Sequence, residues 1–153
     1  MGGRITLPRT PKAVVFDMDG LLIDTIPSYV SAMVEAGHDV GHAVSREYVL
    51  SLVGLLGDEL EAQLRADHGA AFPLSAYMSA VSTRLGPILN AGVPLKPGAM
   101  ALLQALARMD MPIAVGTSMN RAEALHHLKS IISSARWPRG TMSPAANRIR
   151  TFT

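Results

Sequence analysis

Apolar positions follow two different rhythms along this chain. Ala13, Val14, Val15 and Phe16 form an unbroken apolar run with β-branched members, the pattern of a parallel strand buried on both faces. From Ile26 the spacing becomes helical. Pro27 suits a first helical turn, and Val30, Met33 and Val34 recur on one face until Gly37. Ser45 is placed to cap a segment carrying Val49, Leu52 and Val53, which Gly54 ends. Leu60 and Leu64 share a face of the next piece, with Asp58, Glu59 and Glu61 suited to its amino end. Leu74, Tyr77, Met78, Val81 and Leu85 make a stripe that closes near Gly86 and Pro87. No strand pattern occurs between Ile26 and Gly92, so residues 26–92 read as a helical insertion.

The second rhythm then reverses. Residues 93–110 predict a helix with Pro97 near its first turn and Leu102, Leu103, Leu106 and Met109 on one face. A strand follows over Pro112, Ile113, Ala114, Val115 and Gly116, running into Thr117 and Ser118. The next helix carries Ala124, Leu125 and Leu128, with Asn120 and Glu123 able to cap it. His126 and His127 are adjacent on that helix and face different ways, so they read as ordinary histidines and not as a shared metal site.

Composition narrows the class. With 153 residues and 48% hydrophobic content, the chain is long enough for one compact domain with an insertion. It has no apolar run long enough to span a bilayer, and zero Cys fits a reducing compartment, so a cytoplasmic protein without a membrane partner is expected. Gly2 and Thr6 fit a loose acylation pattern, but residues 1–12 read as a leader. The net charge of +2 does not point to nucleic acid. Lys129, Arg136, Arg139, Arg148 and Arg150 give residues 129–153 a charge of +5 with no acid, and the rest of the chain is −3.

The chemistry is concentrated where the first strand ends. Asp17 and Asp19 are two residues apart, so both side chains can lean toward one site at the strand's carboxyl end, where open α/β sheets bind ligands. Two ionised carboxylates this close repel, so the pair is expected to divide the work, one anionic and the other protonated or beside a cation. That supplies a nucleophile next to a general acid/base. Asp19 and Gly20 alone also fit an Asp-Gly turn, and Gly20 lets the chain turn in either case.

The string DMDGLLIDT resembles the first motif of the haloacid dehalogenase-like hydrolases, in particular the phosphatases and β-phosphoglucomutase-like enzymes with a small helical cap. AVGTS resembles the family's second motif. The resemblance implies an α/β fold: a Rossmannoid core with a parallel sheet, here incomplete, over residues 13–25 and 93–129, and an inserted helical cap over residues 26–92. It implies Asp17 as the nucleophile that becomes an aspartyl phosphate and Asp19 as the acid/base. Gly20, Thr117 and Ser118 would bind substrate, with Thr117 donating its hydroxyl to the transferring phosphoryl group. Magnesium is implied on the Asp17 carboxylate and the Asp19 main-chain carbonyl. Phosphoryl transfer is mainly positioning and neutralisation of oxygen charge, which a hard divalent ion and carboxylates provide. An acid at position 19 favours phosphate chemistry over dehalogenation, and the substrate is expected to be a small phosphorylated metabolite. Leu55 and Leu56 stand where sugar-phosphate mutases often carry a basic residue, so a phosphatase is the lead reading and a phosphosugar mutase the alternative.

The resemblance runs to about residue 129 and then stops. No Lys follows Lys129 and no acid follows Glu123, so the family's third-motif Lys and fourth-motif acids are not visible. Residues 130–153 have neither helical nor strand periodicity and read as a non-family tail. If each codon from Thr141 to Thr153 is read one base earlier, the genetic code permits Asp-Asp-Val-Ala-Arg-Gly-Lys-Pro-His-Pro-Asp-Ile-Tyr. A Lys then replaces Asn147 and a Pro replaces Arg148, which resembles the third-motif neighbourhood. Loss of the reading frame shortly after Lys129 is therefore expected, and with it little or no turnover and low stability of the chain as written. A truncated, non-catalytic remnant, or a helical interaction module that retains the cap, is the matching non-enzyme reading.

Overall fold

The computed structural model describes Arg9 and residues 11–119, 121–134 and 151–152. Most of the leader, Asn120 and most of the tail lie outside the described residues. Among the described residues, no helix is long and apolar enough to cross a membrane. The chain divides into two compact units, one of Met1–Ile23 with Leu95–Thr153 and one of Asp24–Pro94.

The second unit contains helices α1 (Ile26–Asp39), α2 (Arg46–Ser51), α3 (Gly57–His68) and α4 (Leu74–Ala91). Pro27 lies in the first turn of α1, where its missing N–H costs no helical bond. Gly37 does not end this helix. It is buried inside it because a Cβ there would lie 2.7 Å from the His42 carbonyl oxygen and 2.8 Å from Val44 Cγ2. Ser45 caps α2 as its position predicts, its hydroxyl accepting the Tyr48 N–H at 3.1 Å. Helix α4 also outruns its expected end, continuing past Pro87 to Ala91. Leu85 before the proline is buried and Leu89 after it packs partly on the core, so packing outweighs the lost backbone bond. Tyr77 is at the centre of this core, fully buried, with its hydroxyl donating to the Met33 carbonyl at 3.1 Å. On the surface, Arg84 of α4 makes a two-pronged contact with Asp39 and a third bond to Glu35 on α1.

In the first unit, β1 (Val14–Asp17) pairs in parallel with β2 (Ile113–Gly116), matching Val14 with Ile113 and Asp17 with Gly116. Between the two strands in sequence comes α5 (Ala99–Arg108), and α6 (Arg121–Ser134) follows β2. The stripe expected on α5 divides differently: Ala99 and Leu103 are buried, while Leu102 and Met109 are exposed. On α6, Ala124, Leu128 and Ile131 are buried. Two expectations about the chain's end need correction. Helix α6 continues to Ser134, beyond the expected start of the tail, and a third strand, β3 (Thr151–Phe152), pairs in parallel with β2. The expectation that β1 is buried on both faces also fails, because Phe16 is 7% exposed but Val15 is 65% exposed.

Candidate active site

Parallel pairing sets the site's geometry. The register places Asp17, the last residue of β1, opposite Gly116, the last residue of β2, so the acid pair and Thr117 leave the sheet at the same end. Asp17 is exposed there, and its Oδ1 accepts the Met18 N–H at 2.9 Å. Met18 is completely buried between the two acids and anchors the turn. Its carbonyl accepts the amides of Leu22 and Ile23, both at 3.0 Å, and the Gly20 amide donates to the Ile23 carbonyl at 2.9 Å. Gly20 has φ of 71°, in the left-handed region where a side chain is strained. The returning segment is pinned by Lys96, whose amide donates to the Leu22 carbonyl at 2.9 Å.

This turn brings Asp19 to Thr117. The Thr117 hydroxyl is 3.5 Å from Asp19 Oδ2, to which it donates, and its oxygen accepts the Met119 N–H at 3.1 Å. Thr117 is buried, and both partners fix its hydroxyl. Ser118, between them, is exposed. The geometry therefore joins Asp19 with Thr117, sets Asp17 across from Gly116, and leaves Gly20 as the hinge of the turn.

Two features escape the sequence pattern. The Met119 amide holds Thr117 in a short side-chain turn, a habit of Thr and Ser that the Thr-Ser pair could have signalled. His127 is 3% exposed on α6 and interacts electrostatically with Asp19. Burial is the main cause that lowers its pKa, with His126 adding to the effect and Asp19 and Glu123 opposing it.

A parallel α/β unit that brings two carboxylates and a hydroxyl to one sheet end, interrupted in sequence by a helical unit, defines an α/β class with a Rossmann-like core and a helical insertion. The chain belongs to the haloacid dehalogenase-like hydrolase family, whose sequence profile matches residues 14–134. Phosphoglycolate phosphatase of Rhodospirillum rubrum is 32% identical over 116 residues, which cover 71% of this chain and 48% of that protein. Hexitol phosphatase A of Escherichia coli is 31% identical over 146 residues, covering 88% of this chain and 65% of that protein. The crystal structure of a hydrolase from Pseudomonas syringae shares the fold with a TM-score of 0.66 at 19% identity, over 94% of this chain and 61% of that one. The chain thus spans 48% to 65% of the length of these curated relatives.

Proposed function

We propose that this chain carries the catalytic carboxylates of a phosphatase that hydrolyses a small phosphorylated metabolite through an aspartyl phosphate. The observation that carries the reading is the convergence of Asp17, Asp19 and Thr117 at one sheet end, with the Thr117 hydroxyl 3.5 Å from Asp19. The names of the relatives suggest phosphoglycolate and hexitol phosphates as first substrates to test. The small helical unit is proposed as a cap that limits access of water, and the cytoplasmic setting belongs to the same proposal.

The position of each residue supports the chemistry proposed for it. The Met18 N–H engages Asp17 Oδ1, which leaves Oδ2 as the oxygen that attacks phosphorus and forms the P–O bond as the ester oxygen leaves. Asp19 gives its proton to that leaving oxygen. On phosphate binding the Thr117 proton turns from Asp19 to a phosphoryl oxygen, with the exposed Ser118 amide and Gly20 lining the same anion. Asp19, now a carboxylate, takes a proton from water. The water oxygen bonds to phosphorus, the bond to Asp17 breaks, and inorganic phosphate is released.

The donors near this turn are hard oxygens, the type magnesium prefers. Asp17 would hold the ion through its carboxylate and Asp19 through its main-chain carbonyl. When bound, it would neutralise charge on the phosphoryl oxygens. Among the described residues no group of three or more His, Cys, Asp or Glu could hold a metal, so these two ligands fill only part of an octahedral shell.

The test is phosphate release from phosphoglycolate and hexitol phosphates, by the chain as written and by a chain with the shifted frame restored after Lys129. Magnesium-dependent turnover is expected from the restored chain and little or none from the chain as written. A folded restored chain inactive on every phosphate ester tried would contradict the assignment.

A further inference from the structure

Alternate residues of β1 have their main-chain groups turned outward. The Val14 N–H donates to the Pro112 carbonyl at 2.9 Å, so the groups of Val14 and Phe16 serve the pairing with β2, and those of Ala13, Val15 and Asp17 point to the opposite edge. Among the described residues β1 is terminal in the order β1-β2-β3, with no strand beside that edge. The side chains of the same three residues are exposed, Val15 at 65%. An open edge of apolar sequence is a template for another chain.

This row is complementary to itself. About a two-fold axis through Val15, an antiparallel second copy sets Val15 against Val15 and Ala13 against Asp17 in both directions, each pair exchanging two main-chain bonds. Val14 then faces Phe16 of the second copy as an apolar cross-strand pair, and each Asp17 lies against an uncharged residue. Other registers are poorer. Moving the axis toward the amino end brings Pro11, which has no N–H, into the pairing, and moving it toward the carboxyl end brings the two Asp17 carboxylates together. We propose that the outer edge of β1 is a self-association surface whose occupant is a second copy of this chain, joined antiparallel about Val15 into one sheet across the dimer. Such a two-fold contact uses the same edge on both copies, so association closes at the dimer. The proposal requires no catalysis, and its failure is distinct from failure of the phosphatase reading.

Sedimentation of the chain as written should show a dimer that dissociates on dilution. Because Val15 opposes its own counterpart, Val15→Lys and Val15→Glu should each weaken dimerisation at least about 10-fold, and an equimolar mixture of the two should regain it as a heterodimer. Val15 is exposed in the single chain, so neither substitution places a charge in a core. Val15→Cys, the single thiol of a chain without Cys, should be joined into a covalent dimer by a short bismaleimide, while Ala66→Cys on the exposed side of α3 stays monomeric. This cross-linking comparison decides the matter if both charged variants lose their helical circular dichroism. A monomer at every concentration would overturn the proposal, as would dimerisation indifferent to either charge, folded variants that do not pair when mixed, or equal cross-linking of Ala66→Cys.

Discussion

Replacing Tyr77 with Phe should lower stability at neutral pH and yet remove a loss of stability in alkali. The Tyr77 ring is fully buried in the helical unit, and its hydroxyl donates to the Met33 carbonyl at 3.1 Å. Tyr77→Phe keeps the ring and removes that bond, a cost of about 1 kcal/mol. Burial also pushes the Tyr77 hydroxyl from 10.0 up to about 12. The folded state thus favours the neutral phenol, so the associated stability is complete below pH 10.0 and is lost as pH rises through about 12. At about 1.4 kcal/mol per unit the ceiling of this loss is about 3 kcal/mol. The stabilities of the native protein and the variant should therefore cross near about pH 11. Tyr48, also raised chiefly by burial and by Asp67, is present in both proteins, and only the smallest cause of its shift, the charge on Tyr77, differs between them. Urea unfolding followed by far-ultraviolet circular dichroism reads mainly this unit, which supplies four of the six helices among the described residues. Parallel pH profiles for the two proteins, or a variant more stable at neutral pH, would refute the reasoning.

Other substitutions probe different contacts. Gly37→Ala should destabilise the helical unit by about 1–3 kcal/mol, since the new Cβ would meet the His42 carbonyl at 2.7 Å, and an unchanged urea midpoint would contradict the packing. His127 is held mainly neutral by burial, so amide protection in α6 should be complete above pH 6.5 and decline as pH falls below it. His127→Leu should flatten that dependence, and an unaltered pH profile would exclude His127 as its source.

Much of this fold could be read from local signals. The run from Ala13 to Phe16 followed by two acids marks β1 because strand burial and polar strand ends leave different residue types. Ser45 marks α2 because a cap is a local contact. What escaped depends on distant residues. Gly37 looks like a helix terminator until the His42 carbonyl is seen against it, and Pro87 stops α4 only if nothing beyond it packs, whereas Leu89 does. The exposure of Val15 depends on what covers the sheet, which no property of the strand itself encodes. At the site, the acid pair and Thr117 were legible from residue type and spacing. The direction of the Thr117 bonds was not, since a hydroxyl's partners depend on geometry across 98 positions of sequence.

The central claim is that Asp17 accepts the phosphoryl group and Asp19 activates the water that removes it. Asp19→Asn in the frame-restored chain, mixed with p-nitrophenyl phosphate, separates the two steps, because this leaving group departs without a general acid while hydrolysis of the acyl phosphate needs a general base. Acid quenching and peptide mass spectrometry should then show about one equivalent of nitrophenol released in a burst, with a phosphoryl group on the peptide containing Asp17 and none after Asp17→Asn. Steady turnover without phosphate on that peptide, or labelling that persists in Asp17→Asn, would contradict the account.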